Sequence, residues 1–257
     1  MKSNVVYLAF IIMYRNLKIS LLLPTYNERE SIKEVINNFE ALGLIDEIIA
    51  INNNAVEGTS EEIRKTSAKE IFELKQGYGA AIRRGFSEAS GDIIVVCEPD
   101  DTFLASDMLK FLSYIDDVSI VYGSRTAKNF IWRDANMGFL LKWGNWFTAK
   151  MIVVLFNTNS LTDVGCTFRA ITKKALKEIE PYFSVNSNFF GPEMMILGYL
   201  LKIRSVQIPI NYKKRVGSSS VTGDVKKAFF LGIKMIILIF SMRFKINKFI
   251  VKILEKI

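Results

Sequence analysis

Lys18-Ile-Ser-Leu-Leu-Leu-Pro-Thr-Tyr-Asn-Glu28 is an apolar run that gives way, at a proline, to hydroxyl, amide and carboxylate groups. Proline stops a buried strand, and the polar side chains gathered beyond it suit recognition of a polar ligand. A capped strand-to-helix turn would look the same, so the neighbouring sequence has to decide.

Outward from this stretch, short apolar runs alternate with amphipathic ones. Strands are predicted at Ile19–Leu23, Glu47–Asn52, Glu70–Leu74, Asp92–Val96 and Ser119–Tyr122, with helices at Ser31–Leu42, Glu61–Ala68, Tyr78–Ala89 and Ala105–Ile115 between them. The rhythm implies an α/β fold with a mostly parallel sheet sandwiched by helices. Ligands bind such sheets beyond the carboxyl ends of the strands. The loops at 24–28, 52–59, 98–102 and 123–125 therefore share one rim. The second half reads less regularly: a helix over Met137–Leu155, a strand near Cys166–Ala170, a helix over Pro192–Leu201 and a strand over Ser205–Tyr212. Lys213 to Asp224, rich in Gly, Ser and basic residues, predicts a mobile loop.

Two further rim segments carry chemistry. Lys75-Gln-Gly-Tyr-Gly-Ala-Ala-Ile-Arg-Arg-Gly-Phe86 is a glycine loop opening a helix, where backbone N–H groups can face an anion. Glu98-Pro-Asp-Asp101 follows the apolar Ile93–Cys97, and carboxylates at i and i+2 can hold a hard cation against a diphosphate.

Together these segments resemble glycosyltransferase family 2, a GT-A (Rossmann-like) fold, and within it the polyprenyl- or dolichyl-phosphate hexose (mannose or glucose) synthases. The resemblance runs from about Ile19 to Asp224. It implies that Pro24, Tyr26, Asn27, Glu28, Gln76, Gly77, Gly79 and Arg83 contact the nucleotide sugar. Glu98 and Asp100 would hold Mg²⁺ or Mn²⁺ in the place of an Asp-x-Asp signature. Gly123-Ser-Arg125 matches a Gly-x-Arg near the acceptor, and Asp163-Val-Gly-Cys-Thr-Phe-Arg-Ala170 resembles an Asp-x-x-x-Gly-Phe-Arg element whose acid would face sugar or acceptor hydroxyls. Glu193 matches an acid opening a helix, although a carboxylate there equally suits the helix dipole. Arg215, flanked by Lys213 and Lys214, would serve the lipid phosphate.

One segment departs from the family. Where it carries paired aspartates followed by Ser-x-Asp-Gly-Thr, this chain has Asn52-Asn53-Asn54-Ala-Val-Glu-Gly-Thr59. Asparagine can hydrogen-bond a base or ribose, so Asn52, Asn53 and Asn54 are expected to bind the nucleotide sugar, but it supplies no charge.

Composition narrows the chemistry. The chain has 257 residues and no histidine, so acid–base chemistry and metal binding fall to carboxylates. Cys97 and Cys166 lie apart in apolar segments and read as buried free thiols. Most of the formal +8 charge sits beyond Val225, beside long apolar runs rather than on a polar face, which argues against nucleic-acid binding.

Three regions are expected: an apolar extension over residues 1–17, a transferase domain over 18–224, and a membrane-associating helical tail over 225–257. Val5–Tyr14 is short for a membrane span and lacks a signal-cleavage pattern, which leaves Met13 as an alternative start. Ala228–Met242 is apolar but interrupted by Lys234, and apolar residues from Ile246 to Ile257 recur at helical spacing between lysines. That is the pattern of a basic amphipathic helix on anionic lipid. The expected place is the cytoplasmic face of a membrane, peripheral or monotopic, with a membrane-protein partner or homo-oligomer left open.

The implied activity is metal-dependent transfer of a hexose, with inversion, from a nucleotide-diphospho-sugar to a polyprenyl phosphate. Asp100, Asp101, Asp163, Arg125 and Arg215 are the candidate catalytic residues. A phosphate is already anionic and needs no strong base. An alcohol acceptor would need one, from Asp101 or Asp163, and transfer to a glycan or glycolipid hydroxyl is the alternative. A non-catalytic nucleotide-sugar sensor is the reading from another class.

Overall fold

The structure, a computed structural model, describes residues 16–133, 135, 139–217 and 225–244. The apolar extension, most of the predicted mobile loop and the basic helix beyond residue 244 lie outside the described residues.

Seven strands form one sheet: β1 (Ile19–Thr25), β2 (Glu47–Asn52), β3 (Lys69–Phe72), β4 (Ile93–Val96), β5 (Ile120–Ser124), β6 (Arg169–Thr172) and β7 (Ser205–Pro209), in the order β3-β2-β1-β4-β6-β5-β7. β1 pairs in parallel with β2 and β4, β2 with β3, and β5 with β7; β6 runs antiparallel between β4 and β5. Two antiparallel neighbours leave β4 and β5 parallel to each other. The carboxyl ends of β1, β2, β4, β5 and β7 therefore share one edge, as the mostly parallel reading requires.

Every residue of β1 is buried, because helices cover both faces. On one face α1 (Ile32–Glu40) buries Ile32, Val35, Ile36 and Phe39 at helical spacing, beside α4 (Met108–Ile115). Each such side chain contributes about 1.5–3 kcal/mol by leaving water. The other face carries α3 (Tyr78–Glu88), α5 (Phe139–Phe156), α6 (Lys173–Ile179) and α7 (Phe190–Leu200).

Several boundaries differ from the sequence reading for local reasons. β3 stops at Phe72, because the carbonyls of Glu73 and Lys75 go to the Asn53 side chain. α2 (Thr59–Ile63) begins earlier and is brief; the Thr66 hydroxyl donates to the Ile63 carbonyl as the chain leaves it. β6 starts three residues later than expected. The helix α6 was not expected at all; Thr172 caps it, accepting from Ala175 N at 3.2 Å.

The apolar segment after residue 224 is a helix, α8 (Val225–Arg243), and no described helix is long and apolar enough to cross a membrane. Leu238 and Ile239 join the core with Ala149 and Ile152 of α5 and Met194 of α7. The two helices also leave large side chains exposed: Trp143, Trp146, Phe147 and Val154 on α5, and Phe230, Ile233, Ile237 and Phe240 on α8. Neither helix contains an Asp or Glu.

Candidate active site

The end of β4 delivers Glu98 and Asp100 to the shared edge. Asp100 is 2% exposed, and its Oδ1 accepts from Thr102 N at 3.0 Å and Thr102 Oγ1 at 2.6 Å. Its Oδ2 faces Arg215 Nη1 at 3.3 Å. The same guanidinium donates to Glu28 Oε1 at 2.7 Å, while Glu28 Oε2 accepts from the backbone N–H groups of Tyr26 and Asn27 at 2.7 and 2.8 Å. Pro24 does not end β1 as the sequence reading expects: it lies buried within the strand beside Ile51, and Tyr26 is exposed at its tip. Carboxylates 72 residues apart thus share one cation.

Residues 213–216, read from sequence as part of a mobile loop, are tied down. Lys213 N donates to the Thr102 carbonyl at 2.8 Å, Val216 N to the Asp100 carbonyl at 3.1 Å, and Lys213 Nζ pairs with Asp101 Oδ1 at 2.7 Å. Asp101 sits at φ 61°, the left-handed region, which turns its side chain toward this strap. Glu98 lies in the same electrostatic neighbourhood. Burial first, and then the Asp100 carboxylate, push its carboxyl up to about 8 against the pull of Arg215.

The donor set suits a hard divalent cation: oxygen ligands from Glu98 and Asp100, no imidazole, and a neighbouring Cys97 whose buried thiol is held well above its ordinary pKa. A guanidinium nitrogen already faces Asp100 Oδ2, so this place accepts positive charge. Among the described residues no three acidic or cysteine side chains form a cage. An ion here would complete its shell with diphosphate oxygens and water, as Mg²⁺ commonly does.

Arg125 and Asp163 are brought together in a different way. Arg125 Nε and Nη2 donate to Asp163 Oδ2 and Oδ1 at 2.9 and 3.0 Å, a bidentate pair, and Asp163 also accepts from Arg125 N and Gly165 N. Burial opposes the charge on Asp163, but the charge and hydrogen bonds of Arg125 outweigh it and hold the carboxyl below its ordinary range. A Cβ at Gly165 would meet Arg125 Nη2 and Asn145 Oδ1 at 2.9 Å, so any larger residue there would press on the pair.

The asparagines sit at the end of β2 and turn toward the protein. Asn52 Nδ2 donates to Glu70 Oε1 at 2.9 Å and to Ser60 Oγ at 3.1 Å, and its Oδ1 accepts from Ala55 N. Asn53 holds the loop after β3, including Gly77 N at 2.8 Å, and Asn54 donates to Gln76 Oε1 at 3.0 Å. Gly77 and Gly79 pack on the backbone of 185–186: a Cβ on Gly77 would lie 2.3 Å from Asn186 O, and one on Gly79 would lie 2.8 Å from Val185 O. Arg83 donates to Asn186 Oδ1 at 3.1 Å, and Ala80 N to Asn186 O. Glu193 in turn holds this segment, accepting from Ser184 N, Ser184 Oγ and Val185 N.

Sequence reading missed these partners. Thr102, Asn186, Ser184 and Glu70 carry no motif, and each becomes visible only when distant segments meet. Arg169, inside a recognised string, was assigned no role; it is fully buried and donates to the carbonyls of Cys166 and Gly191.

Comparison with known proteins fits this geometry. The family model described as "Glycosyl transferase family 2" matches residues 20–180. This chain belongs to glycosyl transferase family 2. Within the family it is similar to a dolichol-phosphate mannosyltransferase of Pyrococcus furiosus, 28% identical over 228 residues, covering 80% of this chain and 60% of that protein. It is also similar to a dolichyl-phosphate hexose transferase of Haloferax volcanii, 24% identical over 204 residues, covering 79% and 86% of the two chains. The chain thus spans less than two thirds of the Pyrococcus relative's length. Among solved structures it resembles glucosyl-3-phosphoglycerate synthase of Mycobacterium tuberculosis in complex with Mn²⁺, UDP and phosphoglyceric acid. The TM-score is 0.72 at 14% identity, with 92% of this chain and 82% of that one covered, a likeness of fold. The chain is a glycosyltransferase with the GT-A architecture.

Proposed function

We propose that this glycosyltransferase moves a hexose from a nucleotide-diphospho-sugar to a membrane polyprenyl phosphate, with inversion and with Mg²⁺ or Mn²⁺. The observation that carries the acceptor is the pairing of both candidate bases: Asp163 is locked bidentately to Arg125, and Asp101 is held by Lys213. An alcohol would need one of them free to take its proton, whereas a phosphate acceptor is already anionic. The dolichyl-phosphate relatives support the same class.

In this reading Glu98 and Asp100 would hold the cation, which would supply positive charge for the departing nucleoside diphosphate. Glu28, Tyr26, Asn27 and the loop 76–83 bind and orient the donor. Arg215, and Arg125 through the N–H groups it does not give to Asp163, position the acceptor phosphate, whose oxygen bonds to the anomeric carbon from the side opposite the leaving group as the bond to the diphosphate breaks. The exposed aromatic and aliphatic side chains of α5 and α8, on helices that carry only basic charge, would rest on the anionic face of a membrane, which we take as the cytoplasmic one.

The test is nucleoside diphosphate release by protein in lipid, with a panel of nucleotide sugars, Mn²⁺ or Mg²⁺, and polyprenyl phosphate added or omitted. Release that needs metal and lipid phosphate, and is lost in Asp100→Ala, is the expected result. Release driven by a glycan hydroxyl instead would overturn the acceptor, and no release with any donor would favour a non-catalytic sensor.

A further inference from the structure

Asn53 is 3% exposed and its amide is saturated from within the chain. Nδ2 donates to the carbonyls of Glu73 and Lys75 at 2.8 and 2.9 Å. Oδ1 accepts from Gly77 N at 2.8 Å and from Gln76 Nε2 at 3.2 Å. A primary amide offers two N–H donors and two acceptor lone pairs, so nothing is left over for a ligand. The loop it holds is pressed from the other side as well, where Gly77, at φ 144°, lies against the Asn186 carbonyl.

We propose that Asn53 is a positioning residue. It clamps residues 73–77 between the end of β2 and the 185–186 segment, and so sets the start of α3 for the nucleotide sugar without touching that ligand. The proposal rests on the reading above that the loop 76–83 faces the donor. It also gives the departure from paired aspartates a physical meaning. An aspartate at this position would keep the contact with Gly77 N but would set an ionised carboxylate, with no hydrogen to donate, against two carbonyl oxygens 2.8 and 2.9 Å away. Asparagine here is a change of role, with the side chain turned from the ligand to the loop.

The two roles predict opposite outcomes for Asn53→Asp. A weakened ligand position would gain nucleotide affinity when the family's residue is restored; a clamp would lose it. The experiment uses the full chain, with UDP and GDP as probes in the presence of Mn²⁺, titrated calorimetrically, alongside amide hydrogen exchange of residues 73–77 without nucleotide. Asn53→Asp should exchange faster in that loop and bind the better nucleotide about tenfold or more weakly, the effect of leaving buried carbonyls unpaired. Asn53→Ala, which removes the clamp without adding charge, should fall between it and wild type, and it keeps the test open if the aspartate variant does not fold. Unchanged protection with equal or tighter nucleotide binding in either variant would overturn the proposal. Hydrogen exchange needs no ligand and judges the clamp alone, so failure of the donor reading shows separately, as wild-type protein that binds neither nucleotide.

Discussion

Arg215 holds Asp100 at 3.3 Å while donating to Glu28 at 2.7 Å, so the positive charge among these acids comes from the chain itself. A divalent cation taken up by Asp100 has to displace or share that oxygen with a tethered guanidinium. Arg215→Ala should therefore bind Mn²⁺ more tightly than wild type in the absence of donor, by about tenfold if the guanidinium's hold is worth ~1.4 kcal/mol, while transfer to polyprenyl phosphate falls. Mn²⁺ titration followed by electron paramagnetic resonance reads the first effect directly. Unchanged Mn²⁺ affinity would show that Arg215 and the ion do not compete for Asp100.

The Arg125–Asp163 pair carries a stability prediction. Asp163→Asn keeps the shape of the side chain but leaves a buried guanidinium without its counter-charge, a loss of about 3–5 kcal/mol. Because the folded state holds the Asp163 carboxyl below its ordinary range, the wild-type contribution is present above about pH 4 and is lost as pH falls through the lower folded value. Urea unfolding at neutral pH and near pH 3 should show the variant's deficit shrinking in acid. A deficit independent of pH would point to packing, and the charge pair would not be its source.

Much of this was legible in advance, and the reason is locality. β1, β2 and β4 announce themselves by uninterrupted apolar runs, and each delivers its polar rim within a few residues, so the placement of Glu28, Glu98 and Asp100 on one edge needs only the rule for parallel sheets. β6 was harder. It is a short strand inserted antiparallel between β4 and β5, and nothing in Arg169–Thr172 distinguishes it from the extended residues before it. The roles of the asparagines were out of reach for another reason. Whether Asn52 faces solvent or Glu70 depends on a partner 18 residues away on a neighbouring strand, and Arg215 meets Glu28 across 187 residues.

Asn52 and Glu70 form an amide–carboxylate pair, with Asn52 Nδ2 donating to Glu70 Oε1 at 2.9 Å. Asn52→Asp places two carboxylates within hydrogen-bond distance of each other with no proton between them, at a cost of about 1–3 kcal/mol. Adding Glu70→Gln supplies a donor from the other side and should recover most of the loss, giving a favourable coupling in a double-mutant cycle of denaturant unfolding. Additive single effects would mean that the two side chains act independently.

Glu193 opens a helix, where its carboxylate could support the fold or face the substrate, and its charge state separates the two roles. Burial raises its pKa, with hydrogen bonds from Ser184 and Val185 pulling the other way. A carboxyl raised on folding stabilises most when protonated, at low pH, and that contribution is lost as pH rises through the folded value. Glu193→Gln removes this loss while keeping an oxygen for Ser184 and Val185, so at neutral pH it should be as stable as wild type or more so, with a flatter pH dependence above about pH 4. Glu193→Ala leaves those donors buried and unpaired, costing about 2–4 kcal/mol, and frees the segment whose Asn186 holds Ala80 and Arg83. If Glu193 only supports that segment, the glutamine variant retains transfer and the alanine variant loses it along with stability. Loss of transfer in a fully stable glutamine variant would instead place the carboxylate on the substrate.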